Sequence, residues 1–201
     1  PPVAGQTVRP GFAPPAVPRA PPVGDRRTFK VIASITGVPT PTLVGAIARS
    51  VGVHVAIYVD STAPANGLGT ADLDSLRDAF DQKLYPADIA AFGNESDIDN
   101  NGLVIVLMTN QINKLVTAQA CVTTGYIAGF FFGADIDPAT RAQWNNGEVF
   151  YTVVADSGAT LSCQHTHTGV KRVVPVTFIH EFQHMISFNQ HVLLRGGLGE
   201  T

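Results

Sequence analysis

Residues 173–191, VVPVTFIHEFQHMISFNQH, constrain the chain more than any other stretch. They contain His180-Glu181-Phe182-Gln183-His184, an H-E-x-x-H pattern. On an α-helix, His180 and His184 stand one turn apart on one face, so both imidazoles reach a single metal ion. Glu181 lies one step round, where it can take a proton from a water at that metal without being a third ligand. The surroundings predict a helix running to about Gln190. Pro175 suits its first turn, where a missing N–H leaves nothing unpaired. Pro175, Ile179, Phe182 and Ile186 recur at helical spacing as a core-facing strip, with Phe178, Met185 and Phe188 on a neighbouring face. A helix of two hydrogen-bonded histidines and a surface glutamate is the plainer reading. Burying Glu181 beside two histidines without a partner is costly, however, and a metal supplies that partner. Two imidazoles and a carboxylate suit zinc.

The words around this motif carry a resemblance. HEFQHMISFNQ resembles the active-site segment of the hyicolysin family of secreted bacterial zinc metallopeptidases. So does the earlier run of Tyr85-Pro86, Phe92-Gly93 and Ser96-Asp97-Ile98-Asp99-Asn100-Asn101-Gly102 with an apolar strand behind it. The similarity extends more loosely from about Phe29 to the C-terminus. It implies a zincin-like α+β fold, a mixed sheet packed on the HExxH active-site helix, and zinc-dependent hydrolysis of protein or peptide substrates. His180 and His184 would then hold Zn²⁺ and Glu181 would be the general base. An exported zinc-containing binding or structural module without turnover is the alternative.

Composition bounds the rest. The 201 residues suit one domain plus a tail. A net charge of −3 argues against a nucleic-acid partner. No run is long and apolar enough for a membrane span. The chain opens PPVAGQ without a methionine, so an export signal cannot be read from it. Residues 1–27, rich in Pro, Ala and Val, read as a linker or pro-segment remnant, and 28–201 as the N-terminal part of a catalytic domain. The two cysteines, Cys121 and Cys163, lie in polar, loop-like surroundings that favour a disulfide over two free thiols.

Along the chain, residues 29–34, 53–60, 103–108 and 148–155 are expected strands, and 39–52 fits either a helix or a strand. Thr70 is the expected cap of a helix carrying Leu73, Leu76, Phe80 and Leu84 and interrupted by Pro86. Asp97, Asp99, Asn101 and Gly102 have the opening spacing of a calcium loop, which makes Ca²⁺ a candidate there. Met108 stands where an EF-hand needs glutamate, so a turn capped by Asx side chains is favoured over a Ca²⁺ site. Residues 125–135, GYIAGFFFGAD, read as a core strand or as a sheet edge that pairs with extended substrate. His54 is read as a polar-face residue rather than a ligand. His165 and His167 point opposite ways in an extended loop and do not share a metal.

A catalytic zinc needs a third protein ligand. His191 lies two helical turns beyond His184, roughly 10 Å along the axis. Glu200 lacks the W-L-N-E-like segment that surrounds the ligand glutamate in the family resembled. The third ligand is therefore expected beyond Thr201, and the chain as it stands is expected to bind zinc weakly and turn over poorly.

Overall fold

The computed structural model describes residues 20–197. Glu200 and most of the expected N-terminal linker lie outside them. A six-stranded mixed sheet runs in the order β1-β2-β3-β4-β6-β5. β1 (Arg26–Ile32), β2 (Pro41–Val51) and β3 (Val55–Asp60) form an antiparallel meander. β4 (Val104–Met108) and β6 (Val149–Thr152) continue the sheet in parallel with β3. β5 (Gly129–Phe131) closes it as an antiparallel edge. Helices α1 (Thr70–Ala79) and α2 (Tyr85–Phe92) connect β3 to β4. The short helices α3 (Asn110–Asn113) and α4 (Ala118–Thr123) follow β4. α5 (His167–Phe188) packs on the sheet beside β5 and β6. This is an α+β fold of the zincin-like kind, a mixed sheet packed on the HExxH helix.

The central strands explain their own positions. β3 and β4 are almost wholly buried and rich in β-branched residues, as parallel strands covered on both faces must be. β2 alternates buried Val44, Ala46, Ala48 and Ser50 with more exposed neighbours, which resolves its sequence ambiguity in favour of a strand with one wet face.

Several expectations are corrected. β1 begins at Arg26, inside the stretch assigned to the linker by composition, and the preceding Gly24 N–H already donates to Ala48 O. Gly69, not Thr70, occupies the N-cap of α1, and no side chain caps it. Pro86 does not break the helix. A π turn at Phe80–Leu84 joins α1 to α2 and takes up the register change ahead of the residue that lacks an N–H. Within 125–135 only Gly129–Phe131 is strand, and a 3-10 turn at Gly133–Asp135 follows.

α5 also starts six residues before the expected Val173, because the Thr166 hydroxyl accepts from Gly169 N–H and caps it there. Pro175 therefore sits inside the helix, not in its first turn. The carbonyl it leaves without a helical partner belongs to Lys171, an exposed residue. The core strip is Val170, Val174, Phe178, Phe182, Met185 and Ile186. Phe182 and Ile186 are buried as expected, whereas Pro175 and Ile179 are only half-buried and Val174 and Phe178 take their places. A helix with apolar residues on most sides offers more than one such strip, and the aromatic contacts of Phe178 decide between them. Phe178 stacks on Phe80 at 4.1 Å and meets Phe150 of β6 edge-on at 5.4 Å.

Cys121 of α4 and Cys163 form a disulfide with Cα atoms 5.7 Å apart. It ties the segment leading into β5 to the loop leading into α5.

Candidate functional site

The position of the H-E-x-x-H residues is set by what lies beneath them. Phe178 and Phe182 stack at 5.4 Å, Tyr85 stacks on Phe182 at 5.3 Å, and His54 stacks on Tyr85 at 4.0 Å. This column of rings fixes one face of α5 against the first helical layer. His54 belongs to the column; it lies in the bend ahead of β3, not within a strand, and its ring is spent in stacking on Tyr85. With the apolar face so held, His180, Glu181 and His184 emerge on the other side, His180 exposed and the other two half-buried.

The Nε2 atoms of His180 and His184 converge to 3.2 Å, with their rings nearly perpendicular. Two nitrogens bound to one tetrahedral zinc at about 2.0–2.1 Å would stand about 3.3 Å apart. The pair therefore has the spacing that a shared zinc requires, and two neutral imidazoles are the donors zinc accepts. Glu181 points to the sheet edge, where its Oε2 accepts from Phe131 N–H at 3.0 Å. This contact was not legible in the sequence, because it joins a backbone group in one element to a side chain in another. Only the glycine-punctuated, aromatic run around Phe131 hinted at it.

A cavity of about 640 Å³ opens beside these groups. Phe131, Gly133, Glu181, His184, Phe188 and His191 contribute to its walls. Phe188 closes on β5 through an edge-on contact with Phe131 at 6.0 Å. A Cβ on Gly133 would come within 2.8 Å of the Phe188 ring, so that turn needs a glycine for the helix to lie this close. His191 follows α5 in a π turn at Asn189–Leu193 and shares the cavity with His184.

The remaining candidates fall elsewhere. His165 is buried, meets Tyr126 edge-on at 4.5 Å, and has its pKa lowered chiefly by burial. His167 contacts the Asn66 carbonyl. The two histidines have separate partners, and His167 opens α5 rather than lying in an extended loop. His165 lies near Cys121 and Cys163, but those sulfurs are spent in the disulfide. Asp97 and Asp99 gather with Glu148, a residue that the local calcium-loop spacing could not have pointed to. Asn101 closes the turn instead, its Oδ1 accepting Leu103 N–H at 2.6 Å.

No family model matches the chain. Over 119 residues the chain is 29% identical to the neutral metalloprotease ShpI of Staphylococcus hyicus. That match covers 59% of this chain and 25% of the relative, so the chain spans about a quarter of the protein it resembles. Among the described residues no helix is long and apolar enough to cross a membrane. The chain is thus a distant, partial relative of a metalloprotease.

Proposed function

We propose that this chain carries the metal-binding and proton-transfer residues of a zinc-dependent endopeptidase. The observation that carries the reading is the convergence of the two Nε2 atoms to 3.2 Å with Glu181 held alongside by the sheet edge. His180 and His184 are the zinc ligands. Zinc, when bound there, supplies Lewis acidity toward water and toward the scissile carbonyl. Glu181 accepts a proton from the attacking water and returns it to the leaving amine. Phe131 N–H fixes one carboxylate oxygen and leaves the other for that transfer. An extended peptide pairs with the outer side of β5, which is the open edge of the sheet. The wall of Phe131, Phe188 and Val192 favours apolar side chains next to the cleaved bond. The disulfide supports an oxidising compartment, and with it export.

The test separates ligand from base. Glu181→Gln retains bound zinc and loses casein hydrolysis by at least a hundredfold, whereas His180→Ala loses the zinc. Metal analysis of each purified variant beside a digestion assay reads both. Undiminished hydrolysis by Glu181→Gln, or zinc content indifferent to His180→Ala, overturns the assignment. Zinc retained with no hydrolysis by the parent chain leaves a zinc-containing binding module instead.

A further inference from the structure

The loop between α2 and β4 turns back on itself at Asn100, which has φ 54°. Asp97 Oδ1 accepts the amides of Asn101 at 3.0 Å and Gly102 at 3.2 Å. Asn101 Nδ2 donates to Asp99 Oδ2 at 2.8 Å. These bonds consume Asn101 and hold the two aspartates side by side. The third acid at the same point is Glu148, which directly precedes β6 and whose carbonyl accepts Ile105 N–H of β4 at 2.8 Å. One carboxylate oxygen from each of Asp97, Asp99 and Glu148 lies within 4.8 Å of the others.

Glu148 is only 1% exposed. Its Oε1 accepts from Ser96 Oγ and from Ile98 N–H at 3.0 Å, while Oε2 is buried without a hydrogen-bond partner. Asp99 Oδ1 is buried in the same condition. Burial pushes the pKa of both carboxyls up, and the Arg27 guanidinium, 3.7 Å from Asp99 Oδ2, offsets this for Asp99 only in part. Buried acceptors of this kind are costly unless something compensates them. The Arg27 guanidinium pairs with Asp99 alone, so the three gathered carboxylates carry more negative charge than it offsets.

We propose that Asp97, Asp99 and Glu148 form a calcium site that fastens the loop 94–102 to the start of β6. The donors are all oxygens, which selects a hard cation over zinc. Calcium accepts six to eight oxygens at about 2.3–2.6 Å in irregular shells, which suits carboxylates brought from two separate segments, whereas magnesium demands a near-octahedral set. Exposed Asp97 leaves one side open for the waters that complete the shell. The main chain packs tightly against Asp99, since a Cβ on Gly147 would come within 2.8 Å of its Oδ2. The same loop reaches the π turn that directly follows α5, because Asn94 O accepts from Asn189 Nδ2 at 3.0 Å and from Gln190 Nε2 at 2.9 Å. Calcium therefore steadies the far end of the H-E-x-x-H helix without touching its histidines.

Thermal unfolding of the full chain, in calcium-free buffer and with millimolar calcium or magnesium chloride, tests this. Calcium raises the Tm by about 5 °C or more at saturation, and magnesium raises it by less than half as much. Asp97→Asn and Glu148→Gln preserve the hydrogen-bond acceptors and abolish the calcium shift, with zinc content unchanged. Asp97 is exposed, so its variant keeps the test decisive if Glu148→Gln fails to fold. A parent chain indifferent to calcium, an equal response to magnesium, or a calcium shift that survives Asp97→Asn overturns the proposal.

Discussion

Asp88 shows how a single side chain can work against the fold that holds it. It sits in α2 at 4% exposure, its Oδ2 has no hydrogen-bond partner, and burial pushes its pKa up to about 6. The folded chain therefore keeps a proton that the unfolded chain releases near pH 4. Stability contributed by the neutral acid is present below pH 4 and is lost as pH rises to about 6. Asp88→Asn should remove this loss. Denaturant titrations at pH 4 and pH 7.5 should give similar stabilities for variant and parent at the lower pH. At the higher pH the variant should gain about 1–2 kcal/mol, solvent screening reducing the full value of the shift. An unchanged difference between the two pH values would show that the carboxyl titrates in the fold as it does in the open chain. The three residues of the proposed zinc chemistry were legible from spacing alone, since a helix converts i and i+4 into a shared face. Glu148 and the Phe131 amide were not, because tertiary folding brings them to their partners from other elements.

Among the elements, β5 has the least strand and the most consequence. Its three residues pair with β6 and approach it closely at Gly129, where a Cβ would run into the Tyr151 carbonyl and the Phe150 ring. Gly129→Ala must push β5 outward and with it the Phe131 N–H that meets Glu181. We expect a destabilisation of about 1–3 kcal/mol. In the proposed peptidase, casein hydrolysis should fall at least tenfold while zinc content stays at the parent's level. Unaltered turnover would detach β5 from the chemistry. The 125–135 run carried enough aromatic and glycine signal to be noticed, but not enough to place three strand residues within eleven. Short edge strands owe their existence to the neighbour they pair with, and a local window does not contain that neighbour. The α1–π–α2 connection escaped for a related reason. Proline predicts a break, and the register change that avoids it depends on packing against α5.

At the scale of the molecule, the disulfide is the longest covalent constraint, joining residues 42 apart. It encloses both β5 and β6, the edge and its support. In the chain-entropy account, closing such a loop restricts the unfolded state by about 4 kcal/mol. Replacing Cys121 and Cys163 together by serine should lower the Tm by about 8–15 °C for a chain of this size. Scanning calorimetry of the double variant beside the oxidised parent checks this, and a difference within a degree would leave the crosslink without a stabilising role. The mixed sheet and the helix upon it followed from apolar runs and helical spacing. The order of strands did not, since β5 lies beyond β6 although it precedes it in the chain.

The group that restrains Glu181 is an amide of the main chain. Every residue except proline brings such an amide to position 131. The restraint is therefore written in the path of the backbone, not in any codon. In the proposed peptidase, substitutions that reshape the Phe131 side chain can alter which peptides fit the cavity while the carboxylate keeps its anchor. Variation in what the site accepts is in this way uncoupled from the means of acting on it.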